Sequence, residues 1–303
     1  MYKKGLVSIF AMPQEIDDLH ITLHCLKRNI ALLPRDVKMD IDITFCLSDE
    51  LTDWEKSKLP QEYFVDKFQT LLPLMDWSEN PRGRVELGSE ILGCVSQRRW
   101  SLDRVDEYDF TLWLDTDMFF EDRTLVWLYA GYEAALEANT PNCIITPQFV
   151  RQWDETWDML VNEQYRSKPL MYHESCDIYD DTLKDHGEIS LSSLPSFKFA
   201  GGWCTFLSNS LLKLTGIPLS FGHYGLEDTF VVEACKLLSS AGHSSNPKQY
   251  MVVNHLVGEQ YKHRCNNHMK KYVHSRNRKE EFRAVAHENF NKELFQFRER
   301  MRI

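Results

Sequence analysis

From Leu6 to Thr146 short apolar runs alternate with segments whose apolar residues recur at helical spacing. Such a chain has few ways to fold. Residues 6–11 read as a buried strand closed by Pro13, and Ile16, Leu19, Leu23, Leu26 and Ile30 then predict a helix over 14–33. The pattern repeats: strands at 41–47, 84–87, 110–114 and 142–146, and helices at 64–72, 90–100 and 123–137. Strands alternating with helices imply βαβ units and a mostly parallel sheet flanked by helices. Sheets of this kind bind ligands at the carboxyl ends of their strands. The second half is less regular. Residues 151–195 are rich in Trp, Tyr, Asp and Ser without a clean period and read as a functional excursion. Strands are expected at 197–200 and 250–253, and helices at 229–238 and 289–300.

Length and composition fit this α/β reading. The 303 residues suffice for a sizeable core, and 43% hydrophobic with 26% charged content is that of an ordinary globular chain. No apolar run reaches the length of a membrane span, and the short apolar start is cut by Pro13 and acidic residues, so a signal peptide is not expected. Eight cysteines without a paired spacing favour reduced thiols and a cytoplasmic setting. The net charge of −10 conceals a basic stretch from Gln260 to Ile303, a solvated helix face or a contact for an anionic surface.

Four motifs carry chemistry. Trp113-Leu114-Asp115-Thr116-Asp117 runs an apolar strand into two carboxylates one residue apart. In extended chain both point the same way and flank one hard cation, Mn2+ or Mg2+; the plain alternative is a solvated turn. Gly201-Gly202-Trp203 follows an apolar segment, and paired glycines admit a close ligand or make a simple turn. Tyr224-Gly225-Leu226-Glu227-Asp228 opens a helix, where acids also serve as caps. His255 follows Val252-Val253, a place where packed histidines are commoner than ligands.

The order of these motifs resembles the GT-A glycosyltransferases, particularly family 2 and similar galactosyltransferases. The resemblance covers about residues 5–258 and is one of motifs. It implies a GT-A, Rossmann-like domain at 1–258 and a basic helical C-terminal extension at 259–303. It also implies a metal-dependent, inverting transfer from a nucleotide-sugar, UDP by analogy, to an acceptor hydroxyl of a glycan, lipid-linked glycan, protein or nucleic acid. The roles it implies are a Mn2+ or Mg2+ site at Asp115, Asp117 and His255, and donor contacts from Pro13, Glu15, Asp49, Asp115 and Thr116. Sugar or acceptor contacts come from Gly201, Gly202, Trp203 and Glu227, and Asp228 is the general base. Two departures stand out: only Ser48-Asp49-Glu50 follows the second strand, and Gln97-Arg98-Arg99 replaces the usual Arg-Asn of the helix before the acidic motif.

Other readings compete. The basic tail suits an enzyme acting on a hydroxymethylated base of DNA. A nucleotidyltransferase would need a Gly- and Lys-containing loop after the first strand, which Ala11-Met12-Pro13-Gln14-Glu15 lacks. A catalytically silent GT-A binding protein would not need Asp115, Asp117, Asp228 and His255 together. Trp153 and Trp157 are candidates for an acceptor groove or for packing. Cys265 and His268 lack the partner pair of a zinc site.

Overall fold

The computed structural model describes residues 2–57, 59–88, 93–153, 170–171, 181–185, 190–194, 197, 201–260 and 275–303. The strands are β1 (Lys3–Ala11), β2 (Val37–Ser48), β3 (Arg82–Gly88), β4 (Phe110–Leu114), β5 (Met118–Phe119), β6 (Cys143–Trp153), β7 (Leu170–Met171), β8 (Asp181–Asp185), β9 (Ser190–Ser193), β10 (Cys204–Ser208) and β11 (Lys248–Gln260). The helices are α1 (Ile16–Ile30), α2 (Trp54–Ser57), α3 (Gln61–Gln69), α4 (Cys94–Asp103), α5 (Thr124–Glu137), α6 (Asn209–Thr215), α7 (Glu227–Ser240) and α8 (Ser275–Met301).

One sheet runs β3-β2-β1-β4-β10-β6-β11-β9-β8, with β5 paired to β11 and β7 to β6. The strands β3, β2, β1 and β4 are parallel, β10 enters antiparallel between β4 and β6, and β6 pairs parallel with β11. This is the mostly parallel, helix-flanked, GT-A-like architecture expected, and it ends in a C-terminal helix. Strands β1 and β4 carry apolar residues on both faces because the sheet has neighbours on both: Leu6, Val7, Ile9, Leu112 and Trp113 are at most 1% exposed. Around the sheet, α1 packs against α3 and α5, α4 lies on β1 and β2, α6 packs on β4, β10 and α7, and α8 packs on α7. Gln97 of α4 ties two strands together, donating to Ser8 Oγ at 3.2 Å and to the Asp42 carbonyl at 3.0 Å.

Several boundaries differ from expectation. The strand beside the two glycines follows them, as β10, whereas 198–200 of the expected 197–200 strand lie outside the described residues. The irregular excursion contains three short strands and the end of β6, which periodicity did not reveal because each has at most five residues. Helix α8 starts at Ser275 rather than Asn289, since its first turns are polar and carry no apolar stripe. Trp157, Cys265, His263, His268 and His274 lie outside the described residues. Among the described residues no helix is long and apolar enough to cross a membrane.

Candidate active site

Strand β4 delivers Asp115. Its last pairs are Ile9↔Leu114 with β1 and Cys204↔Leu114 with β10. The ladder then continues one step further, the Asp115 N–H donating to the Trp203 carbonyl at 3.0 Å. Because β10 runs antiparallel, the Gly-Gly-Trp segment before it arrives at the rim where β4 ends. The next residues are pinned from below. The Thr22 hydroxyl of α1 is 2.7 Å from the Thr116 carbonyl and 2.6 Å from that of Met118, and Thr116 donates to Glu15 at 3.0 Å. Thr116 is buried, while Asp115 and Asp117 on either side of it are half-buried. The Asp-x-Asp segment therefore keeps its two acids on the accessible side of a fixed turn.

Glu15 and Pro13, expected at the donor, have structural duties here. Pro13 opens a 3-10 turn before α1, and the Glu15 carboxylate accepts from the Met12 N–H at 2.9 Å as well as from Thr116. Asp49 lies beyond β2 and accepts from Gln61 Nε2 at 2.7 Å.

Asp115 meets Arg98 of α4, whose guanidinium lies 3.3 Å from its Oδ1 and 5.0 Å from the centre of the Trp113 ring. Arg98 is the centre of the site. It also forms an ion pair with Glu227, and a Cβ on Gly202 would lie 1.5 Å from its Nη2. Gly202 is thus glycine because the guanidinium occupies the space a side chain would need. Burial disfavours the Arg98 charge, yet Glu227, with Cys94 and Asp115, holds its pKa above the ordinary value. Glu227 is 2% exposed, and burial raises its carboxyl pKa against the pull of Arg98. Its Oε1 lies 3.7 Å from the Cys94 thiol, and its Oε2 is buried with no hydrogen-bond partner.

Asp228 follows on the first turn of α7. Its Oδ2 accepts from the Gly202 N–H at 3.1 Å, and its Oδ1 accepts from the Thr229 N–H at 2.6 Å. Two backbone donors fix the carboxylate. The turn before α7 is strained: Gly225 has φ 97° and Leu226 φ 65°. The left-handed conformation costs a non-glycine residue about 1–2 kcal/mol. Leu226 retains it while packing against the main core, as a backbone over-determined by its surroundings does.

The structure thus brings Asp115, Gly202, Glu227 and Asp228 together around Arg98. It does not bring His255 to them as a third cation ligand. A register shift in β11 between Val252 and Leu256 turns the buried His255 toward the start of α5. There Nε2 is 2.9 Å from Thr124 Oγ1 and Nδ1 3.1 Å from Glu121 Oε1. Among the described residues no group of three or more His, Cys, Asp or Glu is placed to hold a metal. Glu227, expected at the sugar, faces inward on Arg98, and Trp203 is half-buried against the core. Sequence reading missed Arg98 as the organising residue; the signal was the arginine pair in the helix before the acidic motif, noted only as a departure.

No family model matches the chain, and no curated protein sequence matches it. Solved structures do. The S. aureus TarS 1-349 complex with UDP-GlcNAc is 12% identical with a TM-score of 0.48, covering 92% of this chain and 64% of that one. GalNAc-T7 with UDP, GalNAc and Mn2+ is 14% identical with a TM-score of 0.46, covering 86% of this chain and 44% of that one. A UTP-bound UGPase from Acinetobacter baumannii is 13% identical with a TM-score of 0.38, covering 85% and 88%. The chain spans less than two thirds of the length of TarS and GalNAc-T7.

Proposed function

We propose that the chain is a glycosyltransferase that moves a sugar from a nucleotide-sugar, a UDP-sugar in this reading, to an acceptor hydroxyl with inversion. The observation that carries this is the convergence of three motifs, Asp115, Gly202 and Glu227-Asp228, on one arginine at the carboxyl end of β4. That rim is where open α/β sheets bind ligands.

Asp115 and Asp117 would hold a Mn2+ or Mg2+ ion. Two carboxylates fit such an ion, which takes one or two from protein and completes its shell with water and substrate phosphate. His255 is not needed. When bound, the metal would supply charge neutralisation for the departing diphosphate. Asp228 would take the acceptor's proton as that oxygen bonds to the anomeric carbon and the nucleoside diphosphate leaves with the electrons of the broken bond. Oδ1 of Asp228 accepts from the Thr229 N–H and hydroxyl, while Oδ2 accepts from the Gly202 N–H and retains lone-pair capacity for this proton. Arg98 would keep Glu227 charged and hold Asp115 and Gly202 in register. The domain reading is 1–258 for this machinery with a C-terminal extension after it.

The test is calorimetry of nucleoside diphosphates with and without Mn2+. Mn2+-dependent binding of one nucleotide, lost in Asp117→Ala, supports the donor site. Folded protein that binds none sinks the reading in favour of a silent binding protein.

A further inference from the structure

The sequence offered the basic C-terminal segment as a solvated face or an anion contact. The described part of it does something else. The loop from Gly216 to Leu226, which delivers Glu227 and Asp228, has positive φ at Gly216, Gly222, Gly225 and Leu226. Glycine takes such angles freely, but Leu226 keeps its own because neighbours hold it. Helix α8 grips the loop along its length. Phe290 stacks on Phe221, ring centres 6.0 Å apart, and meets Phe230 of α7 edge-on at 6.4 Å. Ser220 donates to Glu293 at 2.5 Å, and Asn289 Nδ2 donates to the Ser220 carbonyl at 3.3 Å. Phe282 lies 5.3 Å from the His223 ring, and Arg283 Cγ lies 3.4 Å from where a Cβ on Gly225 would stand. From the other side α4 holds the same loop: the Val95 N–H donates to the His223 carbonyl at 3.2 Å, and Arg99 to that of Gly222 at 2.5 Å.

We propose that α8 is a clamp on this loop, and that Asn289, Phe290 and Glu293 are positioning residues that set where the Asp228 carboxylate stands. None of the three touches the candidate site. They act through Ser220 and Phe221, six to eight residues before the acids. The catalytic half of this proposal rests on the glycosyltransferase reading; the mechanical half does not. A misplacement of about 1 Å at a reacting group costs about 10²-fold in rate, so loosening the clamp would lower turnover while leaving the donor site, built on β4, intact.

The experiment compares wild type with the Asn289→Ala/Glu293→Ala double variant, with Glu293→Gln, and with Phe295→Ser on the exposed side of α8. Two readouts are taken: UDP release from a panel of UDP-sugars, and amide hydrogen exchange. In the double variant kcat should fall about 10- to 100-fold with Mn2+–UDP affinity unchanged. Exchange should accelerate in the peptide covering 220–229 and stay constant over β4. Glu293→Gln, which still accepts from Ser220, should restore most of the rate, and Phe295→Ser should match wild type. Unchanged exchange in the double variant overturns the clamp. Faster exchange with unchanged kcat overturns the positioning role. If wild type binds no nucleotide, the glycosyltransferase reading has failed and the catalytic half falls with it, while the exchange data still decide the clamp.

Discussion

Helix α4 and its C-cap bury two arginines, Arg98 and Arg104, 7% and 5% exposed, toward opposite rims of the sheet. Arg104 lies where β4 begins. It donates to Glu107 at 3.2 Å and to the Tyr108 hydroxyl, and approaches Asp42 at 3.8 Å. Tyr108 passes the chain of bonds to Asp40 at 2.8 Å, which also accepts from Ser78 and from the Asn80 N–H. Burial opposes the Asp40 charge, but the Asn80 N–H with Tyr108 and Ser78 brings its pKa below the ordinary value. Arg98 lies where β4 ends, and its partner Glu227 is 129 residues away. One arginine joins its own turn to neighbouring strand starts; the other joins separate motifs at the rim where ligands bind. Equal burial of equal charges therefore means a brace at one end of the helix and a candidate site at the other.

The contrast is sharpest at the proton. Asp228→Asn should reduce turnover by about 10²–10⁴-fold and lower the melting temperature only slightly, because its one amide oxygen can replace just one of the two carboxylate oxygens that accept from Gly202 and Thr229. Tyr108→Phe, at the brace, should leave steady-state turnover as it is. Loss of turnover in Tyr108→Phe alone would reverse the assignment of the two ends.

Removing Arg98 should cost about 3–5 kcal/mol of stability in a denaturant melt, because the buried Glu227 loses its partner; removing Arg104 should cost less, because the buried Asp42 keeps Arg84 at 2.7 Å. Only Arg98→Ala should also abolish Mn2+-dependent nucleotide binding. Arg98→Lys should not restore it, since an ammonium lacks the fork that reaches Glu227 and Asp115 together. Equal nucleotide affinity in Arg98→Ala and Arg104→Ala would erase the distinction. A smaller effect is expected of Gly202→Ala, whose Cβ must displace the guanidinium: about 1–3 kcal/mol by the usual cost of overpacking, read as a lower denaturation midpoint.

The smallest effect concerns His255. Its hydrogen bond, ahead of its charge, lowers the Glu121 pKa. A lowered carboxyl pKa contributes stability above the ordinary carboxylate pKa, and that contribution is lost as pH falls through the folded-state value. Glu121 is 64% exposed, so Glu121→Gln should cost under about 1 kcal/mol at neutral pH. The difference from wild type should vanish in acid. A difference that persists there would mean the carboxylate charge plays no part.

The first half of the sheet was legible because local apolar runs and helical spacing decide it. Leu6 to Ala11, Ile41 to Leu47 and Phe110 to Leu114 are buried almost throughout, and their apolar residues announce it. The Asp115-Thr116-Asp117 turn was legible for the same reason, an apolar strand stopping at acids. Arg98 was not, because an arginine on a helix says nothing of its burial until a carboxylate far along the chain reaches it. The orientation of His255 was not legible because a register shift in β11, invisible to periodicity, accompanies the way it faces. The inward turn of Glu227 depends on the left-handed Leu226, a conformation its residue type does not advertise.

The antiparallel entry of β10 has a consequence for how such a chain could diversify. Strand β6 leaves the sheet at the rim where β4 ends, and β10 re-enters at that same rim. The stretch between Trp153 and Gly201 begins and finishes on one side, and Gly202 and Trp203, which serve the Arg98 cluster, come after it. Lengthening or replacing it leaves the register of β4, β10 and β6 untouched, and closing a longer loop adds only about 0.6 kcal/mol per doubling. New acceptor preferences could be grafted there without rebuilding the Arg98 cluster, as one changes the bit of a drill and keeps the chuck.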